Sequence, residues 1–447
     1  MALPLFSPDD LPEPPSPAQA AQSMPAGKPR LRLPVRDQIE MRWASLDDLL
    51  EPDHPARVVW TAVCAVDLKA WLDEIKAVEG HVGRDATDPR LLVGLWVFGT
   101  LKGIGSACEL DRLCKESLPY QWLCGGVSVN YHMLSDFRSR GGEKWDELLT
   151  QIVATLLAAE LVKMDRVAQD GMRVRASAGK SSFHRRGRLE ESLEEAREQV
   201  RILKQLAEED TAELTRRQRA ARERAARERQ QRIEEAMRQC EELQQQREAS
   251  NGRKGREGRA STTDPDARVM KFPDGGYQPG YNVQFATDTH SGVILGVEVT
   301  NAGNDGEELP PMLDQLGERY GQLPNEVLVD GGFATKDAIE QADQRGCTVY
   351  APIRAEEKKR AAGNDPYARK KGDSDAVAAW RSRMGTEAAK LIYRLRSQTA
   401  EWVNAQARNR GFWFMRVRGQ PRCRTTALLF AIAHNLVVAQ RLRPAVG

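Results

Sequence analysis

No stretch of the 447-residue chain approaches 18 consecutive apolar residues, so a membrane-spanning helix is not expected. The first residues, MALPLFSPDDLPEPPSP, carry prolines and acids where a signal peptide needs a basic region and an apolar core, so secretion is not expected either. Cysteine is sparse and scattered: seven residues at 64, 108, 114, 124, 240, 347 and 423, with no CxxC spacing. An odd, dispersed set supports neither a disulfide framework nor a zinc cluster, and suits a reducing cytoplasm. Charge of one sign is also lacking overall, the formal net charge being +2. What remains is a chain 40% hydrophobic and 29% charged, too long for one core and suited to two or three domains.

The near-neutral total hides an uneven distribution. From Arg381 to Gly447 there are 13 Lys and Arg against two acids, Glu387 and Glu401. This segment also carries apolar runs and should fold, so it reads as a cationic surface suited to a polyanion, or else as a basic tail that aids solubility.

The patterns divide the chain. Residues 1–30, rich in Pro, Ala and Ser, read as a disordered leader. Residues 31–160 read as an N-terminal helical domain, from apolar spacings of three and four in VVWTAVCAVDLKAWLDEI, LLVGLWVFGTLKGI and LLTQIVATLLAAELV, with a helix-turn-helix-like pair as its candidate DNA-binding part. SACELDRLCKES and SVNYHMLSDFRSR look like two short helices, each opened by a Ser, in which Arg112, Lys115, Arg138 and Arg140 are candidates for DNA backbone contacts. Residues 161–184 hold a strand, RVAQDGMRVRAS. Residues 185–262 read as a polar helical insertion, a coiled-coil-like helix or a helical hairpin. Leu193, Ala196, Val200, Leu203, Ala207 and Leu214 keep a three-four spacing there, and Ile233, Ala236, Cys240 and Leu243 resume it. The insertion either binds DNA or a partner, or is a solvated helix with no chemistry. Residues 263–447 return to β and α signals: YNVQFAT and VILGVEVT as a hairpin, then EVLVDGG and CTVYAPI as strands. GEELPPMLDQLGERYG, KDAIEQADQRG, MGTEAAKLIYRLRSQTAEWVNAQAR and ALLFAIAHNLVVAQRL read as helices, and AEEKKRAAGNDPYARKKGD as a charged loop. The fold class is therefore α/β, a mixed sheet flanked by helices, interrupted after its first strand by the helical insertion.

Three carboxylates draw attention. In EVLVDGG an apolar strand runs straight into Asp330, at the carboxyl end where open α/β sheets place active sites; the two glycines after it would admit a bulky substrate, or Asp330 simply starts a turn. In RVAQDGMRV, alternation puts Asp170 on one face with Ala168, Met172 and Val174. An ionised carboxylate there needs a cation such as a metal ion, unless a bend at Gly171 turns it to water. On a continuous helix over 386–408, Lys390, Arg394, Glu401 and Arg408 fall within about 40° of one another, opposite Ile392, Leu395, Thr399 and Trp402. Three carboxylates are a donor set for two Mg²⁺ or Mn²⁺ ions, which suits in-line displacement at phosphorus.

These residues resemble bacterial insertion-sequence transposases of the DDE type, whose catalytic core is ribonuclease H-like and similar to retroviral integrases. The resemblance runs from about residue 30 to 443. It implies that Asp170 in AQDGMRVRASAG, Asp330 in VLVDGGFAT and Glu401 are the metal-binding catalytic acids. The Tyr-x2-Arg…Glu-x6-Lys/Arg signature maps to Tyr393, Arg396, Glu401 and Arg408, with four residues between Arg396 and Glu401 where some branches have three. It implies DNA contacts by Lys390, Tyr393, Arg394, Arg396 and Arg408. It also implies cleavage at the element's ends and strand transfer into target DNA, with the terminal repeats and target as double-stranded DNA partners. Assembly as a homo-oligomer in a synaptic complex, and a cytoplasmic, nucleoid-associated location, follow in the same way.

Other residues receive plain readings. Asp305 is expected to cap the helix starting near Glu307, His290 to lie in a hairpin and His434 in a helix as structural residues. Glu387 is the substitute should Glu401 fail. Trp402, Phe412 and Trp413 are read as core, with a wedge into a base step as the other role. Two other functions remain open: a catalytically silent, transposase-derived DNA-binding or assembly protein, and a general nuclease of the same fold.

Overall fold

The computed structural model describes residues 43–78, 80, 85–208, 216–249 and 257–442. The leader 1–30, the following run to residue 42, Leu214 and the basic segment 250–256 lie outside the described residues, as does the side chain of Ala207.

Among the described residues seven helices come first: α1 (Pro55–Cys64), α2 (Lys69–Leu72), α3 (Pro89–Leu101), α4 (Ala107–Glu116), α5 (Leu118–Cys124), α6 (Tyr131–Arg140) and α7 (Gly142–Ala158). Asp88 caps α3, with Pro89 preset for the first helical position. Leu91 to Gly99 are buried without a break, because α3 runs through the centre of the bundle. Ser106 caps α4 as expected, but α6 is capped by Asn130, whose Oδ1 accepts from Met133 N at 3.0 Å, and not by a serine. Arg138 corrects the reading of a DNA contact. It is buried, lies 4.2 Å from the Trp96 ring, and donates to Gly105 O at 2.8 Å. Arg112, Lys115 and Arg140 pair along their own helices with Glu116, Asp111 and Asp136.

The sheet is built around β1 (Arg166–Arg175). On one side it pairs antiparallel with β5 (Tyr277–Asp288), placing Asp170 opposite Phe285. β5 in turn pairs antiparallel with β4 (Arg268–Lys271) and with β6 (Ile294–Thr300). On its other side β1 runs parallel to β7 (Glu326–Leu328), and β7 parallel to β8 (Thr348–Tyr350). Six strands, four antiparallel (β4, β5, β6 and β1) and two, β7 and β8, running parallel to β1, make the mixed sheet expected of a ribonuclease H-like core. The β5–β6 hairpin closes where Ser291 donates twice to Asp288 Oδ2, with His290 exposed at its tip. Helices α10 (Leu309–Tyr320) and α11 (Lys336–Gln344) make the crossovers to β7 and β8, as parallel strands require.

The insertion between β1 and β4 is an antiparallel pair, α8 (Arg186–Glu208) and α9 (Arg216–Ala249). Leu189 packs with Ala236 and Cys240, and Leu193 and Ala196 with Ile233. This apolar seam is thin, and ion pairs such as Arg186–Glu241 and Arg197–Glu234 flank it. Its root is closed by a two-stranded ribbon, β2 (Phe183–His184) with β3 (Ala260–Ser261).

Beyond the sheet come α12 (Glu356–Ala361), inside the stretch read as loop, and α13 (Asp375–Met384), which the sequence patterns did not single out. The expected continuous helix 386–408 is interrupted. α14 (Glu387–Arg396) gives way to a π-helical turn, Ser397–Glu401, before α15 (Trp402–Asn409). The last described helix, α16 (Gln420–Leu442), is by length and composition apolar enough to cross a membrane, although it holds no 18 consecutive apolar residues. Its buried face explains this: Phe430 packs on Phe285, and Asn435 exchanges hydrogen bonds with the backbone of Ile294. One core joins α1, α3, α7 and α16 to β5 and β6, and a second lies among β7, β8, α11, α13 and α14. The described residues from 46 onward form one compact unit.

Candidate active site

β1 passes through Gly171 without a bend, Gly171 pairing with Gln284, so Asp170 stays on its expected face. Its carboxylate meets a cation there. Arg396 Nη2 lies 2.8 Å from Asp170 Oδ1, and Asn404 Nδ2 donates to Oδ2 at 2.9 Å. The same guanidinium reaches Glu401, with Nη1 2.9 Å from Oε1. Arg396 thus stands between two of the three acids singled out in the sequence. Asp170 and Arg396 are largely buried, and Glu401 is half exposed.

Asp330 follows β7 at its carboxyl end and shapes a turn. Its Oδ1 accepts from Gly332 N, and its carbonyl from Phe333 N at 3.2 Å. Asp330 therefore starts a turn at the carboxyl end of its strand. A Cβ on Gly332 would stand 2.6 Å from Asp330 Oδ1, and one on Gly331 3.1 Å from Pro352 O, so these glycines accommodate internal contacts rather than an approaching substrate. Arg354 donates to the carbonyls of both.

The electrostatics tie these groups together. Burial holds the Asp170 carboxyl above the ordinary carboxylate range, Arg396 pulls it down, and the nearby charge of Asp330 pushes it up. Burial works against the Arg396 charge, yet Asp170, Tyr393, Asp330 and Glu401 together raise its pKa. The half-buried Tyr393 phenol is pushed up by burial, lowered by Arg396 and raised again by the three acids. Asp170, Asp330, Tyr393, Arg396 and Glu401 are thus one electrostatic cluster.

The π-turn accounts for the spacing. On an α-helix, five residues turn about 500°, which would set Arg396 and Glu401 about 140° apart. The wider turn brings residues five apart onto one side, and the ion pair closes. The extra residue also rotates Glu401 and Arg408 by about 100° relative to Lys390 and Arg394, so the expected single face of four does not form. Lys390 pairs instead with Glu387, which lies outside the cluster, and Arg394 and Arg408 are exposed. Of the opposing stripe, Ile392 and Leu395 pack on the second core and Trp402 on the first, against His434 at 5.2 Å.

Two residues escaped the sequence reading. Asn404 is buried and anchors Asp170, while its Oδ1 has no hydrogen-bond partner among the described residues. Its place three residues after Glu401 was the available signal. Asp305 was expected to cap a helix, but α10 starts at Leu309 without a side-chain cap. Its carboxylate instead lies behind β1, accepting from Asn282 at 2.6 Å, Gln284 at 3.0 Å and Arg173 at 3.3 Å. Gly171 is required for this, because a Cβ would stand 2.5 Å from Asp305 Oδ1. Phe412 is core as expected and Trp402 partly so; Trp413 is exposed.

Residues 257–436 match the family described as the transposase DDE domain, and residues 44–140 the family described as a transposase domain (DUF772). Asp330 and Glu401 lie inside the first match, and Asp170 falls between the two, on the strand that the helical insertion separates from the rest of the sheet. No curated protein and no solved structure matches the chain.

Proposed function

The chain belongs to the DDE transposases of insertion sequences, and from that premise we propose how its own residues cut and join DNA. It is a DNA transposase, an enzyme that cleaves and transfers DNA strands with a ribonuclease H-like catalytic domain, and its family works with divalent metal ions. The finer reading assigns Asp170, Asp330 and Glu401 as the acids that hold two Mg²⁺ or Mn²⁺ ions. The donor set is hard oxygen, and the orphaned Asn404 Oδ1 adds a further buried oxygen beside Asp170. Among the described residues no three such side chains stand at ligand distance, the Arg396 guanidinium lying between Asp170 and Glu401. When bound, the ions would stabilise the attacking and leaving oxygens of an in-line displacement.

The remaining roles belong to the chain. Asn404 and Gly171 N orient the Asp170 carboxylate. Arg396 exchanges its carboxylates for a phosphate of the DNA, which its fork of donors fits. Tyr393 stacks or hydrogen-bonds beside the terminal phosphate. Arg408, with Arg394 and Lys390 on another face, neutralises the backbone farther out. Water attacks the phosphodiester at the element's end and releases a 3′-OH. That hydroxyl then attacks a target phosphodiester, one P–O bond forming as another breaks. The helical region 31–160 would bind the terminal repeats, the enzyme would act as a homo-oligomer in a synaptic complex, and its place would be the cytoplasm, on the nucleoid.

What supports this reading most is one arginine paired with two sequence-distant acids, Asp170 and Glu401, within electrostatic reach of a third, Asp330, in a chain with two transposase-family matches. The test is a cleavage assay on DNA carrying the element's ends, with Mg²⁺. Asp330→Ala should lower cleavage at least about 100-fold, since even outer-shell metal partners cost 10–100-fold, while DNA binding persists. Retained cleavage would refute the assignment. A wild-type protein that binds but never cuts would favour the silent DNA-binding reading, and equal cutting of DNA lacking the ends would favour a general nuclease.

A further inference from the structure

The loop from Arg410 to Gly419, joining α15 to α16, exposes two aromatic rings that the fold does not use. Phe412 and Met415 are buried, but between them Trp413 is 56% exposed and Phe414 36%. The rings lie 6.0 Å apart, centroid to centroid. The loop is held in place: Arg175 N donates to Trp413 O at 3.1 Å, and Met415 N to Arg175 O at 2.7 Å, so Phe414 makes a parallel bridge to the end of β1.

Two further observations say what would meet these rings. The first is charge. From residue 402 to the end the chain has eight arginines and no Lys, Asp or Glu. Arg416 and Arg418 are exposed beside the pair, and Phe414 lines a shallow cleft with Arg138, Arg410 and Arg416. Asp274 pairs with Arg175 at 2.7 Å, and Asp264 and Asp266 are taken up by Gly419 N and Gln420 N at the end of the loop, at 3.0 and 2.8 Å. The second is position. Arg175 lies five residues along β1 from Asp170, about 17 Å at the rise of a strand, or about five nucleotide steps of 3.4 Å. Rigid aromatic faces set among cations are the device by which proteins hold unpaired bases, because every base has a face that stacks.

We propose that Trp413, with Phe414 beside it, is a nucleobase-binding platform that stacks an unpaired base of the DNA strand about five nucleotides from the cut. The proposal rests on the reading of the chain as a DNA-processing enzyme, and it adds a site outside the acidic cluster. The exposed arginines Arg416 and Arg418 beside the rings, in a stretch with eight arginines and no acid, favour a polyanion over an apolar protein surface as the occupant.

The test uses the full chain in EDTA, so that no chemistry intervenes, and measures binding of a fluorescein-labelled 12-nucleotide oligothymidylate and of an abasic oligomer of equal length by anisotropy. The wild type should bind the thymidylate about tenfold more tightly than the abasic strand. Trp413→Ala should lose that difference and leave abasic binding unchanged, and Trp413→Phe should keep most of it. A wild-type ratio near one would overturn the proposal, as would equal thymidylate binding by wild type and Trp413→Ala. So would a loss in Trp413→Ala that is the same for both strands, or a change in oligomeric state in place of a change in the ratio. Should Trp413→Ala not fold, the wild-type ratio and Trp413→Phe decide the matter. If the catalytic assignment is wrong, Asp330→Ala still cleaves, and this ratio stands unaffected.

Discussion

Arg396 neutralises a carboxylate that burial pushes toward its protonated form. With the guanidinium gone, Asp170 would face Asp330 and Glu401 without a cation, and Asn404 alone would remain to hold it. Breaking a largely buried pair by removing one partner costs about 3 kcal/mol, more than the pair itself contributes. Arg396→Ala should therefore lower stability by about that amount in urea unfolding near neutral pH, and Asp170→Asn in the same chain should restore most of it. An unchanged midpoint in the single variant would mean the guanidinium is a bystander. Asp170 and Asp330 were legible as positions because each announces itself locally: Asp170 by alternation along a strand, Asp330 by the end of an apolar run. Asn404 and Asp305 were not, because their roles depend on partners more than 20 residues away, Asp170 for one and Asn282 with Gln284 for the other.

The helix carrying Glu401 was legible as an element and misread in its phase. A periodicity of 3.6 cannot reveal a single wide turn, which forms because both flanking segments are already fixed by packing. Here α14 is held on the second core and α15 on the first, and the turn takes up the residue between them. Deleting the exposed Gln398 should convert the turn to α-helical spacing. Arg396 and the glutamate would then stand four apart and still share a face. Cleavage should survive within about tenfold, whereas one added alanine at that point, turning the glutamate about 100°, should abolish it. Measured rates for the two variants decide this; equal losses in both would show that the turn does not set register. The hairpin β5–β6 and the strand β7 were read correctly for the opposite reason, their turn and boundary residues being local.

At the scale of the molecule, α16 ties the helical region to the sheet through one continuous core, and His434 is a titratable group inside that tie. Burial pushes its imidazole down to about 4, although its ring nitrogen lies 2.9 Å from Gly292 O and that hydrogen bond pulls the other way. The unfolded chain therefore takes up a proton near its ordinary 6.5 that the folded one refuses. This contribution to stability is fully present above pH 6.5 and falls away as the pH drops toward 4, by about 3 kcal/mol in all. Urea unfolding at pH 7 and pH 4.5 should show the decline in the wild type and a smaller one in His434→Gln; parallel losses would contradict it.

The reading as a whole requires that Asp170, Asp330 and Glu401 serve one metal-binding site. Mn²⁺ titrated into the full chain, with the free ion followed by electron paramagnetic resonance, tests this most directly. The wild type should withdraw Mn²⁺ from solution, and Asp170→Asn, Asp330→Asn and Glu401→Gln should each weaken that uptake about tenfold or more. Three variants that take up the ion as the wild type does would contradict the account.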